Sequence, residues 1–380
     1  MAAMEKNNKN LNVPNLRFPE FSGEWERCTI GDITRNFSLR NKDKIQYPMF
    51  SVTNSRGFVP QSEQFEDREM IGEDIKAYKI IHEGDFAYNP ARINVGSIAK
   101  YDKSEPCMIS SLYVCFKALP QINNEWLMQL LKTPKMNFYY NVNGEGGVRV
   151  YLFYPNFARI RTSYPSLAEQ QKIASFLSII DQRIETQKKI IEDLKKLKDA
   201  IRTKLFTSLE SHCNEYDEIR NMLHYEQPSA YLVNSTEYSE DYPIPVLTAN
   251  KAFILGYTDE EYGVYDKGDC IIFDDFTMDL KYVTFPFKIK SSAIKILTPR
   301  QNIDLYFIYE YFLYLGLVSE EHKRHYISEI ESMSIIRPQL KEQRQISQSL
   351  QSLEMQVGNA ITLQKLLAKQ KQHLLSQMFI

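Results

Sequence analysis

Only five cysteines occur in 380 residues, and Cys28, Cys107, Cys115, Cys213 and Cys270 are scattered with no CxxC pair among them. Such spacing builds no zinc site. An odd, dispersed set also fits reduced thiols in an intracellular protein better than a disulfide framework. No apolar run reaches 18 residues, so a membrane-spanning helix is excluded. The opening stretch MAAMEKNNKNLNVPN is polar and lacks the apolar segment of a secretory signal. The expectation is a soluble, cytoplasmic chain with no membrane partner. His322 and His325 stand three apart, but no Cys or acidic cluster completes a ligand set, so they read as surface histidines and no metal is expected.

Catalytic motifs are missing as well. There is no GxxxxGK[ST] phosphate loop, no GxGxxG after a strand, no GxSxG and no HExxH. Asn89-Pro90-Ala91-Arg92 is superficially similar to the Asn/Asp-Pro-Pro-aromatic motif of amino-methyltransferases. It lacks the second proline and the aromatic residue that would stack on a flipped base. Asp269 with Asp279-x-Lys281 imitates a metal-dependent nuclease core, but acid-x-Lys triplets arise often by chance and this one reads as a surface loop. No catalytic residue is assigned.

What the chain does have is a repeat. Residues 165–206, beginning PSLAEQQKIASFLSIID, align without a gap on residues 338–379, beginning PQLKEQRQISQSLQSLE, at an offset of 173. Pro165 falls on Pro338, Glu169-Gln170 on Glu342-Gln343 and Phe206 on Phe379. In both copies apolar residues recur in steps of four and three. The first seam includes Ile173, Leu177, Ile180, Ile184 and Leu194; the second includes Ile346, Leu350, Leu353 and Leu367. This is the a/d pattern of a coiled coil. Gln187, Lys198, Gln364 and Lys371 interrupt it. Each copy starts on proline and has none inside, as a long helix requires, and about 40 residues make a rod of roughly 60 Å. Two such helices in one chain can bury their stripes against each other, antiparallel.

Each rod follows a globular segment of mixed pattern. The first has β-rich runs at 47–53, 85–89 and 111–119, a helical patch at 124–141, and a glycine turn at 143–147 leading into VRVYLFY. The second repeats the plan: YPIPVLTANK at 242–251, GDCIIFDD at 268–275 matching GDFAYNPA at 84–91, KSSAIKIL at 290–297 and a helix at 305–317. The many Tyr and Phe, such as Tyr306, Phe307, Tyr309 and Phe312, sit in strand and helix patterns and read as core. The expected organisation is a flexible lead (1–14), a first globular domain (15–164), a first spacer helix (165–206), a second globular domain (207–337) and a second spacer helix (338–380). The fold class is α+β, duplicated about a pseudo-two-fold. Net charge divides unevenly: +2 over residues 15–165 and −11 over 207–337. An acidic second globule argues against indiscriminate phosphate binding, although it leaves base readout by a few side chains open. Lys281, Lys288, Lys290, Lys295 and Lys323-Arg324 form its local basic clusters.

The arrangement resembles the specificity subunits of Type I restriction–modification enzymes. The PSLAEQQKIASFLSIIDQRIE block with its weaker second copy, FSGEWERCTIGDI at 21–33, GDFAYNPARINVGSIAKY at 84–101 and residues 268–297 carry the resemblance, which spans nearly the whole chain. The second domain departs at its head, where YDEIRNML at 216–223 only faintly echoes WERCTIGDI. The resemblance implies two target recognition domains, each reading one half of a split, asymmetric double-stranded DNA target, with paired helices setting the gap. It implies two methyltransferase subunits docking along the helices and ATP-dependent restriction subunits beyond them. This chain would then be non-catalytic and without cofactor, S-adenosylmethionine, ATP and Mg²⁺ belonging to the partners. Side-chain chemistry suited to base edges gives the candidates Asn54, Arg56, Asn89, Arg92 and Arg149 in the first domain. In the second they are Asn250, Lys251, Asp275, Lys281, Lys323 and Arg324. The competing reading is a coiled-coil scaffold whose globular heads bind proteins, with the acidic second globule as its support.

Overall fold

The computed structural model describes residues 12–64, 75–146, 151–248, 253–319 and 325–380. Two compact units emerge: residues 1–187 with 363–380, and residues 188–362. Each long helix is therefore shared, its two halves contributing to different units.

The first unit opens with β1 (Glu26–Thr29), α1 (Ile30–Ile33) and β2 (Thr34–Phe37), and Asp32 reaches back to accept the Thr29 N–H in a one-turn capping box. β3 (Phe50–Thr53), β4 (Gly57–Pro60), the short α2 (Gln61–Gln64), β5 (Lys79–Ile81), β6 (Phe86–Tyr88), β7 (Ile98–Lys100), β8 (Cys107–Ile109) and β9 (Val114–Ala118) follow. The single helical patch expected at 124–141 is two helices, α3 (Asn124–Leu131) and α4 (Pro134–Asn143). The Thr133 side chain caps α4 and Pro134 occupies its first turn, where no N–H is needed. α5 (Tyr154–Ala158) and β10 (Arg161–Tyr164) lead into the long helix α6 (Leu167–His212). The main sheet runs in the order β2-β9-β6-β7, and β1 pairs antiparallel with β10.

The second unit repeats this plan. It comprises β11 (Tyr216–Glu218), α7 (Ile219–Met222), β12 (Leu223–Glu226), β13 (Ile244–Leu247), β14 (Ile254–Thr258), β15 (Cys270–Asp274), β16 (Leu280–Val283), β17 (Lys288–Ile289) and β18 (Ile294–Pro299). Then come α8 (Leu305–Leu315), β19 (Ser334–Ile336) and the last helix, α9 (Leu340–Met378). Its sheet order, β12-β18-β15-β16, matches the first strand for strand, and β11 pairs with β19 as β1 does with β10. The faint echo at YDEIRNML is thus a full structural repeat, strand–turn of helix–strand. Its sequence drifted because a short motif of this kind needs only a few inward apolar residues, here Ile219, Met222 and Leu223.

Two boundaries differ from expectation. Asn12 donates from its side chain to the Trp25 carbonyl and to Ser163, so residues 12–14 are not a loose lead. The first long helix continues past Phe206 to His212.

α6 and α9 pair antiparallel. In the first unit Asp181 meets Lys371, and in the second Lys198 meets Glu354, so the numbers climb on one helix while falling on the other. Both ion pairs are one pair repeated at the offset of 173, which explains two of the residues that interrupt the apolar seam. Ile173, Leu177, Ile180, Ile346, Leu350 and Leu367 are buried, while Ile184, Leu194 and Leu353 are only partly so.

The repeated glutamine has a shared task. Gln170 accepts the Asn123 N–H at 2.8 Å and donates to the Pro165 carbonyl at 2.9 Å. Gln343 accepts the Asp304 N–H at 2.8 Å and donates to the Pro338 carbonyl at 2.8 Å. Asn123 and Asp304 are the N-caps of α3 and α8, so in each unit the long helix is sutured to the start of the helix it packs on. Gln343→Ala leaves two backbone groups without partners and is expected to cost about 1–3 kcal/mol in the second unit. Denaturant midpoints of the variant check this, and an unchanged midpoint would remove the suture.

Candidate nucleic-acid interface

In the first unit three loops converge. The β3–β4 turn is closed by Thr53, whose hydroxyl accepts from the Arg56 N–H and donates to the Gly57 carbonyl, leaving Asn54 and Arg56 exposed. The loop between β6 and β7 folds beneath it. Gly96 has φ +98°, and a side chain there would come within 3.3 Å of the Asn54 carbonyl oxygen. Ser97 adds a hydrogen bond to the Val52 carbonyl at 2.7 Å. The third loop is anchored by the Glu145–Tyr151 bridge and by the Leu152 N–H, which donates to Pro90. Asn94 donates to Asn141 on α4 at 3.0 Å, joining loop and helix.

Asn54, Arg56 and Arg92 are thus brought onto neighbouring exposed loops, with Arg56 only loosely held by Glu63 at 3.5 Å. Asn89 is corrected. It is partly buried and its side-chain oxygen accepts the Ala91 N–H, an Asx turn that shapes the Arg92 loop and fixes the amide to its own backbone. Arg149 lies outside the described residues.

The second unit builds the matching loop with a one-residue shift. Asp274, not Phe273, takes the place of Asn89: its carboxylate accepts the Phe276 and Thr277 N–H groups, both at 2.8 Å. Just as Pro90 accepts from Leu152, the Asp275 carbonyl accepts from His325. Met278 completes the turn at φ +59°.

Asp275 is the clearest correction among the candidates. It is buried, and its carboxylate accepts the His325 and Tyr326 N–H groups while lying 3.3 Å from the Lys295 ammonium. A carboxylate engaged in this way inside the fold holds a loop in place and cannot accept from cytosine. Lys281 remains exposed on β16. Asn250, Lys251, Lys323 and Arg324 lie outside the described residues.

The basic cluster read from the sequence also shrinks. Lys288 and Lys295 are buried, and Lys288 pairs with Glu260 at 2.7 Å and donates to the Tyr262 carbonyl. The hydrogen bond from Lys288 holds the Glu260 carboxyl below the usual carboxylate range. Part of the acidic surplus therefore neutralises lysines of the same unit. His325 is buried rather than on the surface, while His322 lies outside the described residues. No group of metal-ligating side chains is present among the described residues, nor is any described helix long and apolar enough to cross a membrane.

Sequence reasoning missed Asp274, the Asn94–Asn141 tie and the exposed, stacked Tyr151 and Phe153 rings, 6.1 Å apart at the edge of the third loop. Only the Asp274 turn was within reach of the sequence, had the repeat been aligned with one extra residue in the strand.

The seam residues require a second correction. Ile173, Leu177 and Ile180 lie in the apolar core of the first unit, and Ile346 and Leu350 in that of the second. They face inward and cannot themselves dock partner subunits. The exposed large apolar residues of the two helices are others: Leu167, Ile179, Ile190, Leu197, Met355, Leu363 and Leu366.

Comparison with known proteins matches these features. Residues 22–196 fit the family model described as Type I restriction modification DNA specificity domain. The EcoR124I/EcoR124II specificity subunit of Escherichia coli is 47% identical over 117 residues, a match spanning 29% of this chain and 29% of that protein. The putative MjaX specificity subunit of Methanocaldococcus jannaschii is 24% identical across 91% of this chain and 90% of its own length. Among solved structures, the S subunit of the Type I system from M. genitalium gives a TM-score of 0.61 at 15% identity, covering 97% of this chain and 99% of that one. A chain from a structure of type I complex assembly and conformational transition gives 0.55 at 13% identity, covering 94% and 98%. At such identities the structures speak for the fold alone. That fold, with its shared helices and a loop cluster in each unit, is the duplicated α+β architecture of specificity subunits. Residues 22–196 therefore carry a Type I restriction modification DNA specificity domain, and the chain as a whole has the fold of the specificity subunits it is similar to.

Proposed function

We propose that this chain is the DNA-reading subunit of a Type I restriction–modification complex, each unit reading one half of a split target. The observation that carries the reading is the repeated loop cluster, exposed in the first unit with Asn54, Arg56 and Arg92 on adjacent turns. Guanidinium groups suit guanine edges and phosphates, and amides suit adenine. The two helices set the unread gap, and their exposed apolar residues offer two methyltransferase subunits a surface, with ATP-dependent restriction subunits joining through these. Catalysis, S-adenosylmethionine, ATP and Mg²⁺ belong to those partners, and the complex works in the cytoplasm.

The test is base-resolution methylation mapping in a methylation-free host that expresses this chain with its cognate methyltransferase subunit. A new split motif with a fixed gap is expected. Arg92→Ala is expected to lower or relax methylation at one half-site by roughly 5- to 100-fold, the worth of one good base contact, with the complex still assembled. An assembled complex on an unmethylated genome would overturn this reading and favour the protein-binding scaffold.

A further inference from the structure

The two long-helix ends hold equivalent places in the repeat, yet the sockets that receive them differ in charge. In the second unit Glu310 on α8 is fully buried. Its carboxylate lies 2.7 Å from the Lys198 ammonium through one oxygen and 2.7 Å from Arg202 Nε through the other. Phe206 closes this socket, edge-on to Phe307 and Tyr311.

The first unit presents the same positions with other chemistry. Phe379 replaces Phe206 and packs on Trp126, which takes the place of Phe307. Lys371 stands for Lys198, but Leu375 stands for Arg202 and the neutral Gln129 for Glu310. Gln129 donates to Asp181 at 3.0 Å, and Leu375 is buried in the apolar core. Next to Leu375 a small cavity is lined by Leu130, Met136 and Phe379, by hydroxyl side chains, and by Lys135 and Arg161, with no carboxylate side chain among them.

We infer that the second socket is keyed by charge: it accepts the end of α6 carrying Arg202 and rejects the otherwise equivalent end of α9 carrying Leu375. With Leu375 in that place, one oxygen of a fully buried carboxylate would lose its cation while the other kept its lysine, and removing one of the two partners of a buried charge is destabilising. Arg202 in the first socket would meet apolar and hydroxyl side chains, Lys135 and Arg161. The repeat is therefore a matched pair of unlike halves. The partner this surface fits is the α6 segment, from the same chain or a second copy, and two C-terminal halves do not satisfy one another.

A full-length chimera tests this. Residues 188–206 are replaced by the sequence of residues 361–379, equal in length and in register, which keeps Lys at 198 and Phe at 206, exchanges Arg202 for Leu, and also changes Ile191 and Asp199 to Gln. The second unit of the chimera is expected to be digested by protease at least about tenfold faster than in the wild type, because a buried carboxylate that loses one of its two cations raises the open population. The tryptophan fluorescence of the first unit should stay native. Adding Glu310→Gln to the chimera should restore resistance, since amide and leucine then match the first socket. A chimera as resistant as the wild type would overturn the inference, and so would one that Glu310→Gln fails to rescue.

Discussion

Leu177→Asp is expected to unfold the first unit and to leave the second largely intact. Leu177 is fully buried among Trp126, Leu130, Phe157 and their neighbours at the junction of α6 with its globule. Truncating a buried leucine alone costs about 2–5 kcal/mol. A carboxylate without a partner adds several more, and together these rival the 5–15 kcal/mol, roughly, that hold an ordinary domain. Leu350→Asp should do the same to the second unit, where Leu350 is equally buried. Limited proteolysis with mapped fragments distinguishes the two. If these residues instead formed an outward docking stripe, both variants would stay folded and lose only partner binding. A folded Leu177→Asp chain that fails only to assemble would show that the seam faces outward after all.

The second large effect concerns the helix ends. Phe379→Ala is expected to destabilise the first unit by about 3–5 kcal/mol, the usual cost of removing a buried phenylalanine. Phe379 sits against both tryptophans of the chain, with ring centroids 6.4 Å from Trp25 and 5.9 Å from Trp126. Because Trp25 and Trp126 are the only two tryptophans in the sequence, fluorescence follows the first unit alone. The tryptophan-detected midpoint should therefore fall in Phe379→Ala. Phe206→Ala, whose ring packs on Phe307, Tyr311 and Tyr314, should lower the circular-dichroism midpoint and leave the fluorescence transition in place. A fluorescence transition that shifts equally in both variants would mean that the units unfold as one.

The same residue types also mark where a sequence reading succeeds. A repeat of helical period, preserved over 42 residues with its Pro, Glu-Gln and Phe in step, reports itself because helix packing tolerates only inward apolar residues at fixed spacing. The long helices and the duplication were legible on that basis, and the strands at 50–53, 86–88 and 114–118 from their β-rich runs. So were Asn54, Arg56 and Arg92 as exposed side chains, since turn sequences such as TNSRG place polar residues outward.

Tertiary structure alone decided which polar residues are spent inside the fold. Asn89 and Asp275 have the right chemistry for bases, yet one shapes its own turn and the other holds His325, Tyr326 and Lys295. Lys198, which seemed to break the apolar seam, is buried against Glu310 and Glu354. A carboxylate or amide carries no mark in the sequence of whether it faces solvent or a buried N–H. For Asp275 and Lys198 that depends on partners 50 and 156 residues away in the chain, which only the folded chain brings together. The Asn89 turn closes locally on Ala91. The sequence thus determined the architecture, because periodicity is local, and the fold decided the roles of polar side chains such as Asp275 and Lys198, because their partners are not.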